Sequence, residues 1–279
     1  MSVAGARISP DDAAQRARGA GRSIEDLMTS LLPWGQSFAR APVSQFTVGA
    51  VALGRSGALY AGANLELAGL PLSASVHAEQ SAVSNAWLHG ESGLVALAVS
   101  APPCGHCRQF LNELDGAAGL RIVVAGAPPA TLAELLPRAF GPLDLGVTAR
   151  LMLPEDHQLT LDARDADPLS LAALAAAGAS YAPYTGAFAA AALRLRNGSV
   201  VTGRYAECAA YNPSLPALQA ALAAVTLRGE AFSLIAEAVL VEADGRTSQR
   251  ASAEAVLAGL GVPPARYLRA DTLPGQDGS

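Results

Sequence analysis

The hydrophobic pattern of the first half alternates between runs typical of strands and runs typical of helices. Apolar runs at 46–53 and 59–63, separated by the turn Arg55-Ser56-Gly57, predict a β-hairpin. Further apolar runs at 94–100 and 122–125 predict buried strands. Helices are predicted at 24–32 with Ser23 as N-cap, 76–89, 104–114 and 132–136. The alternation favours the α/β class, with parallel strand pairs in a mixed sheet flanked by helices.

The second half repeats this pattern with a constant spacing. Pro42, Gly57, Gly62 and Glu66 have counterparts 141 residues later in Pro183, Gly198, Gly203 and Glu207. A second hairpin is predicted from residue 187 onward, around the turn Arg196-Asn197-Gly198, with a helix after it. Past Glu207 the second copy is two residues shorter, so that Gln80 falls on Gln219. The repeat predicts two tandem domains that share one fold.

The repeat also sets the expected boundaries. We expect a short N-terminal helical segment at 1–22, a first domain at 23–155 and a second domain at 168–279. The polar stretch 156–167 is predicted to link them.

Composition indicates a folded protein and argues against several functions. The 279 residues are 51% apolar, which is enough for sizeable cores. Their net charge of −5 argues against binding to nucleic acid. The apolar run 171–179 is too short to span a membrane, and residues 1–22 lack the apolar core of a secretory signal. Three cysteines, two of them in C-x-x-C, favour metal or redox chemistry in a reducing cytoplasm.

Two short stretches carry the candidate chemistry, His77-Ala78-Glu79 and Pro103-Cys104-Gly105-His106-Cys107. Cys104 and Cys107 are three residues apart, so they lie on one face of the first turn of a helix. A helix N-terminus favours the thiolate, which is the form that binds metal. With His77 as the third ligand, one tetrahedral position stays open for water, as in a catalytic zinc site.

Simpler interpretations compete with this one. C-x-x-C alone is also the pattern of a redox pair, and a structural zinc site would take a fourth ligand, for which His106 is the nearest candidate. His77 alone could be a core histidine. The two motifs in this order favour zinc. Glu79 lies close enough to a ligand to act as the general base for the water, rather than as a surface carboxylate.

The second copy lacks this chemistry. His77 falls on Pro216 and Glu79 on Leu218, and residues 236–260 contain no cysteine. Cys208, the cysteine of this half, falls on Leu67, and its role is left open. The second domain is therefore predicted to be a degenerate, non-catalytic copy.

H-x-E followed by P-C-x-x-C is the signature of zinc deaminases. Residues 77–82 and 103–110, with Ala139-Phe140-Gly141-Pro142 and residues 205–213, resemble the cytidine deaminase family, specifically its long bacterial homodimeric form. The resemblance covers roughly 38–268. It implies two α/β/α sandwich domains, the second one degenerate, with one Zn²⁺ per subunit. It also implies hydrolytic deamination of cytidine and 2′-deoxycytidine, in which a zinc-activated hydroxide attacks C4 and Glu79 shuttles the proton.

The same resemblance implies a set of nucleoside contacts. Asn64 and Glu66, two apart on a predicted strand and so on one face, would hold the sugar hydroxyls. Phe46 would pack on the pyrimidine, while the N–H of Ala78 and the carbonyl of Pro102 would read the base edge. Each has a structural alternative. Phe46 could be strand core, and Glu66 could have a structural duty because Glu207 persists in the degenerate copy.

The expected assembly is a homodimer in which residues of the partner subunit form part of each pocket. The two degenerate domains bring the total in the dimer to four domains. Whether Phe140 lines the pocket of the partner subunit is left open. Two alternatives remain. One is another small-molecule deaminase of this fold, acting on a nucleotide or a base, and the other is a zinc-stabilised binding module that releases no ammonia.

Overall fold

The structure, a computed structural model, describes residues 5–272. It divides into two units, each with its own sheet. The first consists of Met1–Leu153 with Cys208–Pro213 and Thr226–Gly229, and the second of Pro154–Glu207, Ser214–Val225 and Glu230–Ser279. The division agrees with the tandem arrangement predicted from the repeat, and both units are of the α/β class.

The first unit has six strands and six α-helices among its described residues. In chain order these are β1 (Arg7–Ile8), α1 (Pro10–Gly19), α2 (Ile24–Ser30), α3 (Leu32–Gln36), β2 (Gly49–Gly54), β3 (Leu59–Ala63), α4 (Ala78–Leu88), β4 (Leu94–Val99), α5 (Gly105–Leu111), β5 (Arg121–Val124), β6 (Ala130–Thr131) and α6 (Leu132–Leu135). The sheet order is β1-β3-β2-β4-β5-β6, in which β4 and β5 are parallel and the other pairs antiparallel.

Helix α2 begins where the sequence predicts, after Ser23, but it ends two residues before the predicted end at residue 32. Ser23 Oγ accepts a hydrogen bond from the N–H of Asp26 at 3.1 Å, as expected of an N-cap. The single helix predicted at 24–32 is wrong, because α2 ends at Ser30 and α3 begins at Leu32. Pro33 has no N–H to donate to the preceding turn, so the helix stops and restarts with proline in its first turn.

The first strand of the hairpin also starts later than predicted, at Gly49 and not at Phe46. The side chain of Asn64 takes the backbone groups that a strand partner would have bound. Its Oδ1 accepts from the N–H of Val48 at 2.8 Å, and its Nδ2 donates to the carbonyl of Phe46 at 2.9 Å. Residues 46–48 therefore form a loop at the edge of the sheet instead of its last pairs.

The second unit has five strands and three α-helices among the described residues. They are β7 (Leu159–Thr160), α7 (Pro168–Gly178), β8 (Ala189–Leu195), β9 (Val200–Arg204), α8 (Ala217–Leu227), β10 (Ile235–Ala243), α9 (Arg250–Gly259) and β11 (Arg266–Thr272). The sheet order is β7-β11-β10-β8-β9, with β10 and β11 parallel. Strands β2 to β5 thus have counterparts in β8 to β11, connected in the same order.

A glycine at the same point of each unit lets a helix pack directly on the sheet. A Cβ added to Gly62 in β3 would lie 2.2 Å from the carbonyl oxygen of Ala78, in the first turn of α4. In β9, a Cβ on Gly203 would lie 2.4 Å from the carbonyl oxygen of Ala217, in the first turn of α8. Only glycine permits this approach, which in the first unit brings the start of α4 close to the end of β3.

Two segments outside the predicted domains take part in the sheets. Arg7 in β1 pairs with Tyr60 of β3, so the N-terminal segment supplies an edge strand besides the helix α1. Thr160 in β7, within the predicted linker 156–167, pairs with Asp271 of β11. Residues of the predicted N-terminal segment and of the predicted linker thus belong to the two sheets.

Among residues 5–272, no helix combines the length and the apolar character that crossing a membrane requires.

Candidate metal centre and the adjoining cavity

The three predicted ligands meet where two helices of the first unit begin. His77 is the residue before α4, Cys104 is the residue before α5, and Cys107 lies in the first turn of α5. Their ligand atoms all lie within 4.8 Å of one another, and no other such group occurs within residues 5–272. The sequence prediction that these three side chains come together agrees with the structure.

The spacing of the donor atoms fits a tetrahedral zinc ion. The Sγ atoms of Cys104 and Cys107 are 3.7 Å apart, and Nδ1 of His77 lies 3.5 Å and 3.2 Å from them. Zinc bonds of about 2.3 Å to sulfur and about 2.0 Å to nitrogen, at tetrahedral angles, give an S–S separation of about 3.8 Å and an S–N separation of about 3.5 Å. The residues present therefore fit zinc, and three donors leave a fourth position for water or substrate.

The two cysteine side chains are close enough to shift each other's pKa. The hydrogen bond with Cys107 lowers the pKa of the Cys104 thiol to about 4, which favours the thiolate at neutral pH. The same hydrogen bond, together with burial, raises the pKa of Cys107. A divalent cation bound between the sulfurs replaces the thiol proton, because both sulfurs bind metal as thiolates.

His106 lies beside this group without belonging to it. Its ring stacks on that of His77, with 5.2 Å between centroids and 10° between planes. The donors that converge are those of His77, Cys104 and Cys107. This arrangement supports the three-ligand interpretation over a structural site with His106 as the fourth ligand.

Glu79 is the buried carboxyl group of the site. It lies in the first turn of α4, two residues after His77, and it is only 4% exposed. Burial raises the pKa of its carboxyl group, although hydrogen bonds from its own backbone N–H and with Cys107 oppose the rise. A carboxyl group in this setting can take up and release a proton close to the metal donors.

A cavity of about 360 Å³ opens on these groups. Its walls contain all the predicted nucleoside contacts and part of the metal centre. The lining residues are Ser44, Phe46, Val48, Asn64, Glu66, Leu72, Ser75, Val76, His77, Ala78, Glu79, Ala101, Pro102 and Cys104. A concave site of this size, with a few polar groups among apolar ones, is typical of a small-molecule pocket.

Asn64 and Glu66 reach the cavity from beyond β3, which ends at Ala63, so their placement on a strand is wrong. Leu65 between them forms isolated bridges to Val76 and Arg40, and this extended geometry keeps both neighbours on one side.

Glu66 is held by the loop before β2. Its Oε2 accepts from the N–H groups of Val43 and Ser44, each at 2.9 Å, and its Oε1 accepts from the Ser44 hydroxyl. Burial would raise the pKa of Glu66, but the hydrogen bonds from Ser44 and Val43 outweigh it and lower the pKa. Glu66 is therefore a carboxylate that stabilises the loop at residues 43–44. The presence of Glu207 at the corresponding position of the second unit had suggested such a structural role.

The remaining predicted contacts also line the cavity. Phe46 is 60% exposed and lines the cavity, so it is not strand core and can offer an aromatic face to a ligand. Ala78 is the first residue of α4, where N–H groups have no partner within the helix, and Pro102 lies just before the cysteine motif. Their roles toward a base remain predictions.

Six lining residues were missed from the sequence: Ser44, Val48, Leu72, Ser75, Val76 and Ala101. Most are apolar or small residues, which no motif distinguishes. Ser44 did carry a signal, because the residue 141 positions later, Thr185, is also a hydroxyl residue.

Strand register identifies the corresponding positions in the second unit. Val99 pairs with Ala50, and Leu240 pairs with Ala191, so β4 and β10 keep the spacing of the repeat. At that spacing of 141 residues Cys104 corresponds to Gly245 and Cys107 to Ser248. His77 and Glu79 correspond to Pro216 and Leu218 at the shorter spacing of 139 residues that follows Glu207. The second unit therefore retains the fold and has lost each of the metal donors and the buried carboxyl group.

Comparison with known proteins gives one consistent answer. Residues 22–124 and, separately, residues 132–254 match family models described as the cytidine and deoxycytidylate deaminase zinc-binding region. The first match contains His77, Glu79, Cys104 and Cys107, while the second covers the unit that lacks their counterparts. Both halves of the repeat are thus recognisable as the same domain.

Relatives match over most of the chain. Cytidine deaminases of Yersinia pestis (strain Pestoides F) and Yersinia pseudotuberculosis (serotype O:1b) are each 49% identical over 242 residues, which is 86% of this chain and 82% of theirs. Among solved structures, the cytidine deaminase of Mycobacterium tuberculosis covers 42% of this chain and 96% of its own, with 33% identity and a TM-score of 0.38.

Proposed function

The chain belongs to the cytidine deaminase family of zinc-dependent hydrolases, and from this premise we propose that it deaminates cytidine and 2′-deoxycytidine. The products are uridine, 2′-deoxyuridine and ammonia, as in pyrimidine salvage. One observation carries the proposal. A single cavity is lined by the metal donors His77 and Cys104, by the buried Glu79, and by the polar pair Asn64 and Glu66 beside an exposed aromatic ring.

His77, Cys104 and Cys107 would hold the zinc. When bound, zinc lowers the pKa of water and polarises it for attack. Two thiolates and a neutral imidazole cancel the charge of Zn²⁺, so this ion is a weaker Lewis acid than one held by histidines alone. A base beside the donors is then needed, and Glu79 meets that need.

Glu79 would move the protons of the reaction. It takes a proton from the attacking water and gives it to N3 of the pyrimidine, while the water oxygen adds to C4. The second proton of the water passes through Glu79 to the amino group, the C4–N bond breaks, and ammonia leaves. Burial keeps bulk water away from this carboxyl group, and its raised pKa suits it both to accept and to donate a proton.

The rest of the cavity would hold the nucleoside. Asn64 and Glu66 offer an amide and a carboxylate to the sugar hydroxyls, and the ring of Phe46 offers a face to the pyrimidine. The N–H of Ala78 and the carbonyl of Pro102 would bind the base edge with one donor and one acceptor.

The lining favours a nucleoside over a nucleotide. No arginine is among the described residues that line the cavity, and His77 is a metal donor. A 5′-phosphate would therefore find no cation to bind, and the carboxylate of Glu66 would repel it. This argues against the alternative of a nucleotide deaminase of the same fold.

Ammonia release from a panel of substrates tests the proposal. Zinc-loaded protein is expected to release ammonia from cytidine and 2′-deoxycytidine, and at least about 100-fold less efficiently, in kcat/KM, from deoxycytidylate, adenosine and free cytosine. Protein treated with a chelator is the control. Ammonia from deoxycytidylate or a purine alone would establish a different deaminase, and ammonia from none would favour a binding module.

The two units would have different functions, one in catalysis and the other in assembly. We propose that residues 23–155 form the catalytic domain and residues 168–279 a non-catalytic copy that serves assembly, because Pro216, Leu218, Gly245 and Ser248 cannot bind zinc or shuttle a proton. The reaction would take place in the cytoplasm, where a reducing environment keeps the C-x-x-C pair available for metal.

We also propose a homodimer in which each subunit walls the pocket of the other. An exposed apolar segment follows α6, with Phe140, Leu143 and Leu145 at the surface. Asn112, the residue after α5, donates a hydrogen bond to the carbonyl of Phe140 at 3.2 Å and so holds this segment. An ordered, exposed apolar segment of this kind is typical of a subunit interface.

Light scattering after size exclusion tests the assembly. The expected particle has twice the chain mass of 28.2 kDa. Phe140→Ala should raise KM for cytidine if this ring lines the pocket of the partner subunit, whereas Val95→Ala, at another exposed apolar residue, should not. A stable monomer with full activity would refute both the dimer and the shared pocket.

A further inference from the structure

The hydroxyl of Ser44 joins two of the residues that line the cavity. It donates a hydrogen bond to Oε1 of Glu66 and accepts one from the N–H of Phe46 at 3.0 Å. Val43 and Ser44 also donate their own N–H groups to Oε2 of Glu66 at 2.9 Å. One small side chain therefore links the carboxylate to the backbone that carries the aromatic ring.

The position of Phe46 depends on such backbone contacts. Phe46 is 60% exposed, so packing against other side chains constrains it little. Its N–H is bound by Ser44, and its carbonyl is bound by Nδ2 of Asn64 at 2.9 Å. The residue that would face the base is thus held on both sides by side chains that line the same cavity.

The second unit has the same set of hydrogen bonds, but it has no aromatic residue at the position of Phe46. Thr185 donates its hydroxyl to Oε1 of Glu207 and accepts from the N–H of Ala187 at 3.2 Å. Glu207 Oε2 accepts from the N–H groups of Tyr184 at 2.8 Å and Thr185 at 3.2 Å. Ala187 stands where the first unit has Phe46.

We propose that Ser44 is a positioning residue for nucleoside binding, which couples the sugar-binding carboxylate of Glu66 to the base-packing ring of Phe46. The inference rests on the proposed function, since it gives those two residues their ligand. The hydrogen bond between the hydroxyl and the glutamate occurs in both units, so it contributes to their common fold. We expect it to affect nucleoside binding in the first unit alone, because there it lies beside Phe46 and the cavity.

The expected consequence falls on KM rather than on kcat. Removing the hydroxyl takes one of three donors from Glu66 and leaves the N–H of Phe46 without this acceptor, so both groups are held by fewer hydrogen bonds. Glu79 and the metal donors lie in or beside α4 and α5, and none of them takes part in these hydrogen bonds. Contacts made equally with substrate and transition state change KM when they are lost.

Ser44→Ala and Thr185→Ala form a matched pair, because each removes the same hydroxyl from the same glutamate contact. Ser44→Ala is expected to raise KM for cytidine about tenfold, with kcat within about twofold of the parent. Thr185→Ala should leave KM unchanged. Thr185→Ala should lower the midpoint of thermal unfolding more than Ser44→Ala, because Glu207 is buried at 2% exposure whereas the contact between Ser44 and Glu66 is exposed. Ser44→Thr should recover most of the lost affinity, since a threonine makes this contact in the second unit.

Steady-state kinetics of the parent and the three variants test whether Ser44 positions the residues that bind the nucleoside. A rise in KM confined to Ser44→Ala supports the inference. Equal KM values in all four proteins, or equal rises in both alanine variants, would overturn it while leaving the proposed function intact. A zinc-loaded parent without turnover of cytidine would instead refute the proposed function, and this inference with it.

Discussion

Replacing Glu79 with glutamine is expected to lower kcat for cytidine on the order of 10³-fold while zinc stays bound. The amide is of nearly the same size, so the cavity and the start of α4 should keep their shape. It cannot accept a proton, however, so the variant lacks the base that the proposed reaction requires. Glutamine at this position also leaves all three metal donors in place.

Uridine formation and zinc content, measured on the same preparation, test this expectation. Glu91→Gln is a suitable control, because Glu91 is a carboxylate of similar burial at 6% exposure whose partners include Ser56 and Tyr60. It should cost stability and keep kcat within about twofold, since it only removes hydrogen bonds remote from the cavity. Turnover within tenfold of the parent in Glu79→Gln, at full zinc occupancy, would remove Glu79 from the proposed role.

Replacing Cys107 with serine is expected to abolish measurable turnover through loss of zinc. Cys107 is fully buried and lies 3.2 Å from Nδ1 of His77, so nothing can enter to replace its sulfur. Serine binds zinc far less tightly than a thiolate, and two donors do not retain the ion against a chelator. Zinc per chain should fall from about one to below about 0.1 after dialysis with a chelator.

Cys208→Ala is the matched control for removing a buried thiol. Cys208 is also fully buried in the first unit, where its Sγ lies 3.6 Å from the carbonyl oxygen of Gln109. This variant should retain one zinc per chain and parental kcat. Full zinc retention and turnover in Cys107→Ser would contradict the proposed ligand set.

The metal centre could be predicted from sequence because its determinants are local. Cys104 and Cys107 are placed by one helical turn, and His77 precedes Glu79 at the start of another helix. Helix starts and a three-residue spacing are set by neighbours in the chain, so the motifs alone specify most of the geometry. The approach of the two helices was supplied by the resemblance to the family.

The loop at the cavity edge could not be predicted in the same way. Its conformation depends on hydrogen bonds between residues far apart in sequence, such as Ser44 with Glu66 and Val48 with Asn64. A hydrophobic pattern extends the strand back to Phe46, because it cannot show that a side chain competes for the backbone groups. For the same reason Glu66 had two possible roles until its partners were known.

The repeat distinguishes the roles of fold and function within one chain. Gly62 and Glu66 persist as Gly203 and Glu207, and both are shown to hold the fold, through close packing and through the loop contact. The metal donors and Glu79 do not persist. Residues lost from the second unit are those on which the proposed chemistry depends.

A zinc titration tests whether a single zinc site, in the first unit, deaminates cytidine. Metal-free protein is titrated with zinc while the conversion of cytidine to uridine is followed. Turnover should rise linearly and reach its plateau at one zinc per chain, although two regions match a zinc-binding family model. A plateau at two zinc ions, turnover without zinc, or no turnover at saturation would contradict the account.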